Sequence, residues 1–398
     1  MKTIKLGSLI TISKGKKHTV SEVPSPHSIR MLGIDDLRND TLIRMTDDQD
    51  GVLAFDDDVL IAWDGANAGT IGYGKRGYIG STISRLRLQD TSKFYTPFIG
   101  MFLQSNFSYL RKTATGATIP HINRHALERI PVPVFTYDDQ VRIATLLSKV
   151  ENLISRRHEQ LKQLDELLKS VFLEMFGLHN GDVKKWIIEP LSTCTEIVSG
   201  VTKGKKYNGN TLLRDVPYMR VANVKDGYLN LSEIKTIEVT EAEIHKYKLI
   251  SGDLLLTEGG DPDKLGRGAV WSCEIDECIH QNHIFRVRAI GNSVNPFFLS
   301  ALMASKYGKS YFFKAAKQTT GIASINSTQL KAFPLIKPAI DLQNRFAAIV
   351  EKVENLKSCY QQSLAELENF YASLSQKAFK GELDLSRVII TKEVESAI

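Results

Sequence analysis

The sequence predicts an α+β protein made of two pseudo-symmetric mixed α/β domains separated by a long antiparallel two-helix coiled coil. Three observations lead there. The segment opening Gln140-Val-Arg-Ile-Ala and ending Val150-Glu-Asn-Leu153 returns as Gln343-Asn-Arg-Phe-Ala through Val353-Glu-Asn-Leu356, at a constant offset of 203 residues. Upstream, Thr115-Gly116, Ile122-Asn123 and Ile130-Pro131 are answered by Thr320-Gly321, Ile325-Asn326 and Phe333-Pro334. A repeat this long is a duplicated domain, because solenoid modules recur every 20 to 50 residues or so. Finally, each copy closes on a segment with helical heptad spacing.

Residues 1–137 form the first domain. Short β-branched or aromatic runs, Val52-Leu-Ala-Phe55, Val59-Leu-Ile-Ala62 and Ser84-Arg-Leu-Arg-Leu88, alternate with Gly, Asp and Asn punctuation and read as strands. A helix is expected after Pro97, running to about Arg111. In segment 138–177 the apolar residues Ile143, Leu147, Val150, Ile154, Leu161, Leu164, Leu168, Val171 and Met175 fall alternately four and three apart, interrupted by Arg157. That rhythm marks a coiled-coil helix. Asp138 and Asp139 are available as its N-terminal cap, and Gly177 ends it.

The second domain, 178–340, repeats the order, with strands at Asp253-Leu-Leu-Leu-Thr257 and His283-Ile-Phe-Arg-Val-Arg288 and a helix after Pro296. The second long helix, 341–381, carries Phe346, Ile349, Val350, Val353, Leu356, Tyr360, Leu364, Leu367, Phe370, Tyr371 and Leu374, and closes on Phe379-Lys-Gly381 as the first closes on Phe176-Gly177. Residues 382–398 form a tail. Neither long helix can bury its stripe alone, so the two are expected to pack together, antiparallel because the second domain is inserted between them. In a centred pairing Arg157 and Tyr360 approach each other as a cation–π pair.

Composition bounds the function. The chain has 398 residues, 42% hydrophobic and 24% charged, as expected of soluble domains. No run approaches the length of a membrane span, and Met1-Lys-Thr-Ile-Lys-Leu does not read as a signal peptide, so a cytoplasmic location is expected. Four scattered cysteines fit reduced thiols.

A net charge of +6 permits a polyanionic partner, and the placement of the cations is informative. They cluster at Lys14, Lys16 and Lys17; at Lys75 and Arg76; at Arg111 and Lys112; at Lys203, Lys205 and Lys206; and at Lys314 and Lys317. Ser13-Lys-Gly-Lys-Lys17 and Thr202-Lys-Gly-Lys-Lys206 lie near the start of both copies. A flexible glycine among lysines suits phosphate contacts, which position a duplex without reading it.

Catalytic signatures are weak. Gly200-Val-Thr-Lys-Gly-Lys205 lacks the spacing of a nucleotide-binding loop and the hydroxyl residue after its lysine. Asn295-Pro-Phe-Phe298 reads as a helix start. Cys273, Cys278, His280 and His283 lack zinc-ligand spacing, so no metal site is expected. Asp261-Pro-Asp-Lys264 places carboxylates near a lysine in a Gly-rich loop but has no counterpart in the first copy.

Two loops look instead like readers of base edges: Trp63–Gly72, with Asn67, and Thr257–Gly266, with Asp261 and Lys264, followed by Arg267. Glycines permit close backbone approach, and the polar side chains offer the required donors and acceptors. Gln281, Asn282 and His283, the trio His121, Asn123 and Arg124, and Arg220 with Asn223 complete the candidates. Each residue taken singly also fits an ordinary loop hydrogen-bonding role.

These features together resemble the specificity subunits of type I restriction-modification enzymes. The resemblance rests on the duplicated domain plus helix, on Thr-Gly…Ile-Asn…Ile/Phe-Pro before each helix, and on Gln-x-Arg-Ile/Phe-Ala…Val-Glu-Asn-Leu opening it. Leu254-Leu-Leu-Thr-Glu-Gly-Gly-Asp261 and His280-Gln-Asn-His-Ile-Phe285 add to it. It implies two target-recognition domains, each reading half of a bipartite site in double-stranded DNA, with the helices as a ruler. It further implies docking of two methyltransferase subunits that bring S-adenosylmethionine, and of motor-nuclease subunits that use ATP and magnesium. The chain itself would then hold no cofactor and catalyse nothing. The enzymatic alternative is a DNA methyltransferase or nuclease with an unrecognised site.

Overall fold

The computed structural model describes residues 2–39, 42–116, 118–177, 186–260, 265–319 and 322–388. It contains two compact units, Met1–His158 with Gln362–Ile398 and Glu159–Gln361.

In the first unit the elements are β1 (Thr3–Lys5), β2 (Ile10–Lys14), β3 (Ile29–Leu32), β4 (Arg44–Thr46), β5 (Leu53–Ala54), β6 (Asp58–Ala62), β7 (Ile71–Tyr73), β8 (Gly77–Ile79) and β9 (Ile83–Leu88). They continue with α1 (Thr96–Ser105), α2 (Phe107–Lys112), α3 (Arg124–Glu128), β10 (Pro131–Pro133) and the start of α4 (Tyr137–Phe176). One sheet has the order β2-β9-β6-β7 and a second β4-β3-β8-β5, while β1 pairs with β10. β3 and β8 run parallel. The expected helix after Pro97 is broken at Asn106, whose side chain donates to the Phe102 carbonyl.

The second unit follows with β11 (Ile187–Pro190), β12 (Thr195–Ser199), β13 (Arg214–Met219), β14 (Lys235–Val239), α5 (Glu241–Tyr247), β15 (Leu254–Thr257), β16 (Gly259–Gly260), β17 (Gly268–Val270), β18 (Ile279–His280) and β19 (Ile284–Ala289). Then come α6 (Pro296–Ala304), α7 (Lys306–Ala315), β20 (Lys317–Thr319), β21 (Ile322–Ser324), α8 (Ser327–Lys331), β22 (Pro334–Lys337) and α9 (Ile340–Lys380). The sheet orders β12-β19-β15-β17 and β14-β13-β18, and the pair β11-β22, answer those of the first unit. β13 and β18 are again parallel. A small sheet, β16-β21-β20, has no three-stranded equivalent among the described residues of the first unit.

The correspondence extends to single residues. β6 is buried along its whole length and opens on Asp58, a buried carboxylate held by two nitrogens of Arg87 at 2.8 and 2.7 Å. β15 is equally buried, and Asp253 before it is held by Arg288 at 2.6 and 2.7 Å. Two bonds satisfy each buried charge, which would otherwise be costly to bury. Gln140 is buried: its Oε1 accepts from the Tyr95 N–H and its Nε2 donates to the Phe135 carbonyl. Gln343 repeats this with the Asn295 N–H and the Pro338 carbonyl. The first residue of the repeated motif therefore fastens the helix start to the turn before α1 or α6.

Both long helices contribute to both units, and in each unit they run antiparallel. In the first, Tyr371 of α9 donates to Glu151 of α4, and Arg157 of α4 donates to the Ser363 hydroxyl of α9 at 3.2 Å. In the second, Lys357 pairs with Asp165 at 2.8 Å, and Phe172 meets Phe346 at 5.3 Å. Residue numbers rise on one helix as they fall on the other. Tyr360 lies half-buried on the part of α9 that belongs to the second unit.

The helix ends close the cores. Phe379 meets Phe98 edge-on at 5.5 Å and Phe102 at 5.3 Å in the first unit. Phe176 meets Phe298 at 4.7 Å in the second. Each such ring brings a large apolar area and favourable edge geometry. The cap of α4 differs from expectation. Helical backbone begins at Tyr137, and the Thr136 hydroxyl receives the Asp139 N–H at 3.2 Å while donating to its carboxylate at 2.7 Å. Thr136 is the cap, and Asp138 and Asp139 stand inside the first turn, where their charge suits the helix N-terminus.

Candidate nucleic-acid interface

The reading loops begin where the central buried strands end. After β6, the Trp63 N–H donates to the Thr82 carbonyl at 2.7 Å, and the Trp63 carbonyl accepts from the Ile122 N–H at 2.9 Å. After β15, the Glu258 N–H donates to the His283 carbonyl at 3.0 Å, and its carbonyl accepts from the Ile325 N–H at 2.9 Å. Trp63 is thus the counterpart of Glu258, so the two loops, which the sequence opens at Trp63 and Thr257, are offset by one residue.

Each loop mouth holds a carboxylate–imidazole pair. His121 Nδ1 lies 2.6 Å from Asp64 Oδ1, and Lys14 Nζ lies 2.9 Å from Asp64 Oδ2. Burial alone would raise the Asp64 carboxyl, but the hydrogen bonds from His121 and Lys14 outweigh it and hold the group below the ordinary carboxylate range. In the second unit His283 Nδ1 lies 2.7 Å from Glu258 Oε2. Both imidazoles are exposed on the remaining side.

The other first-unit candidates divide between frame and surface. Asn67 Oδ1 accepts from Arg38 at 2.8 Å, and Arg111 donates to the Ala66 carbonyl at 2.9 Å, so two guanidinium groups brace the loop backbone. Arg38 carried no signal in the sequence, since it stands 29 residues from its partner. Asn123 caps α3 by accepting the Ala126 N–H at 3.1 Å. Arg124 pairs with Glu128 at 2.7 Å, one turn along the same helix. Arg76 lies 5.6 Å from the Phe55 ring centroid, with Lys75 half-buried beside it. Lys16 pairs with Asp50 at 2.6 Å, and Lys17 and Lys112 are exposed.

In the second unit, Asn223 is buried, with its Oδ1 on the Arg220 N–H and its Nδ2 on the Asn230 and Glu233 carbonyls. Arg220 itself pairs with Glu233 at 3.3 Å. Both residues build a loop, and the Asn223 amide is engaged with backbone groups on both of its ends. Lys205 reaches Glu243, which also accepts from Tyr207 at 2.9 Å, and Lys203, Lys206 and Lys314 are exposed. Arg267 is half-buried, and its carbonyl accepts from the Thr257 N–H at 2.9 Å. Gln281 and Asn282 are half-buried, their backbones tied to Met219 and Val201. Asp261, Lys264 and the Lys317 side chain lie outside the described residues.

The two lysine clusters are not structural counterparts. Lys16 N–H donates to the Ile79 carbonyl at 3.2 Å, and Val201 N–H donates to the His280 carbonyl at 2.9 Å, so Lys16 answers Val201. The preceding glycines, Gly15 and Gly200, sit so close to β8 and β18 that a Cβ would fall within 2.4 Å of the Ile79 and within 1.9 Å of the His280 carbonyl oxygen. Gly204, aligned with Gly15 by its neighbouring lysines, instead has open space around it in a left-handed turn. Of the four residues set aside as zinc ligands, Cys278 and His280 are buried at β18, Cys273 is exposed, and His283 faces Glu258.

A frame built twice, with a different polar loop held at the same strand end in each copy, defines a recognition protein with two related surfaces. A family model described as type I restriction modification DNA specificity domain matches residues 1–165 and 193–369, and the chain belongs to that family. It is a DNA sequence-recognition subunit of the type I restriction-modification class. It is 24% identical over 323 residues to the EcoKI specificity subunit of Escherichia coli (strain K12), covering 74% of this chain and 67% of the relative. It is also 24% identical over 408 residues to the MjaVIII specificity subunit of Methanocaldococcus jannaschii, covering 96% and 92%. The fold is similar to the S subunit from M. genitalium, with TM-score 0.55 and 17% identity over 95% of this chain and 96% of that one. A chain from a study of type I R-M complex assembly and conformational transition gives TM-score 0.57 and 15% identity over 96% and 98%.

Proposed function

We propose that each unit reads one half of a bipartite DNA site, and that the paired helices set the spacer between the halves. The observation that carries this is the contrast at the strand ends. The Asp58–Arg87 and Asp253–Arg288 frames are alike, while Asp64–His121–Lys14 and Glu258–His283 differ in residue type and in chain origin. Exposed lysines such as Lys17, Lys112, Lys203 and Lys206 supply phosphate contacts, and the loop side chains supply base readout.

Two methyltransferase subunits dock on the helices in this reading. Its support is a pair of exposed apolar residues that occurs once in each unit. Leu153 of α4 and Phe370 of α9 are 49% and 54% exposed; their repeat equivalents, Leu356 of α9 and Leu167 of α4, are 40% and 47% exposed. Large apolar residues left in solvent at equivalent helix positions suit a partner that binds twice. Those subunits bring S-adenosylmethionine and methylate the DNA, and motor-nuclease subunits use ATP and magnesium; this chain supplies recognition and no catalysis. No helix of the described residues is long and apolar enough to cross a membrane, and the four cysteines are unpaired, in keeping with a cytoplasmic assembly.

Inserting one or two whole helical turns at the same level of α4 and α9 tests the ruler. The expected outcome, read by sequencing bound or methylated sites, is a longer spacer between unchanged half-sites. A change in the half-sites themselves would refute the division of labour.

A further inference from the structure

We infer that His121 and His283 are specificity-determining residues that present a ring nitrogen as a hydrogen-bond acceptor to the exocyclic amino group of adenine or cytosine. This rests on the half-site reading above and names the chemistry of its readers. An ionised carboxylate accepts hydrogen bonds and donates none, so the proton of each neutral imidazole must lie on Nδ1, which faces Asp64 at 2.6 Å or Glu258 at 2.7 Å. Nε2 then carries a lone pair. The ring is steered as well as polarised: Asp64 is fixed from its other oxygen by Lys14 at 2.9 Å.

Exposure points the same way. The imidazole side chains are 48% and 57% exposed, whereas the carboxylates are 18% and 33% exposed. The orienting group is sheltered and the oriented group faces solvent, as a reading residue requires. A half-exposed carboxylate–imidazole hydrogen bond of this kind contributes little to folding, so stability is a poor reason for placing one at each loop mouth.

An acceptor in the major groove distinguishes the amino group of adenine from the carbonyl oxygen of guanine, and that of cytosine from the carbonyl of thymine. Each histidine should therefore reject the transition at one base position of its own half-site. Loss of one hydrogen bond, with an acceptor left facing an acceptor, corresponds to roughly ten-fold in affinity.

The test is site selection from randomised DNA duplexes by the full chain assembled with its methyltransferase partners, at about pH 8. Wild type is compared with His121→Ala and His283→Ala, each checked for an unchanged unfolding midpoint. The expected result is that each variant accepts the transition at one position, in one half-site only. At that position a duplex whose base lacks the exocyclic amino group should bind wild type about ten-fold more weakly and the variant no worse than its parent duplex. Motifs identical to wild type in both variants would overturn the inference while leaving the half-site reading intact. No enriched motif for wild type would overturn both.

Discussion

At the end of β6 the exposed histidine arrives from residue 121, and its carboxylate is braced by a lysine on β2; at the end of β15 the histidine comes from residue 283, and its carboxylate is Glu258 itself. Yet the strands leading to both places, their buried Asp–Arg pairs and the backbone bonds at Trp63 and Glu258 agree. The frame delivers a position and the loop delivers the residue. Because the frame's bonds are mostly backbone or buried, the exposed residues can change without disturbing it.

The largest effect is expected from unseating one helix end and not the other. Phe379→Ala should destabilise the first unit, and Phe176→Ala the second, each by about 3–5 kcal/mol, measured by urea unfolding. Unequal losses would show that the two seats are not equivalent.

A second test uses a place where the frame itself differs. Ile79 of β8 and His280 of β18 are counterparts, both fully buried, and neither ring nitrogen of His280 has a partner among the described residues. Burial, and then the nearby Arg286 and Arg288, push the His280 imidazole down to about 3. Unfolded histidine binds its proton near pH 6.5, so between that value and the folded one the unfolded chain holds more protons. The stability that His280 permits above about pH 6.5 is therefore lost as pH falls, by about 2 kcal/mol near pH 5. His280→Ile should remove that acid sensitivity from the second unit; an unchanged pH profile of the unfolding midpoint would contradict it.

Smaller effects sharpen the picture. Asn123 caps α3 with one bond, whereas Asn326 and Gln329 form a reciprocal box at α8. Asn326→Ala should cost about 1 kcal/mol, somewhat more than Asn123→Ala, in thermal unfolding of the two variants. Smallest of all, Lys17→Ala should weaken DNA binding to every sequence alike and reduce the slope of affinity against salt by about one.

The long helices were legible because a heptad is a local pattern and the repeat wrote it twice. Their antiparallel course followed from connectivity. The loop contacts were not legible in the same way. Asp64 and His121 are 57 residues apart and meet through β6 and the turn before α3, a tertiary event with no local signature. The matching Lys-Gly-Lys-Lys strings misled for the converse reason: side-chain likeness is local, whereas the equivalence of Gly15 with Gly200 is set by a neighbouring strand that leaves no room for a Cβ. Polar type also concealed role. The Asn223 amide, offered as a reader, is engaged with three backbone groups, and the Asn123 oxygen caps α3.

The seating of Phe176 and Phe379 makes each unit depend on the last turn of a long helix. A chain cut just before Phe379 would uncover Phe98 and Phe102 in the first unit, and a break just before Phe176 would do the same to Phe298 in the second.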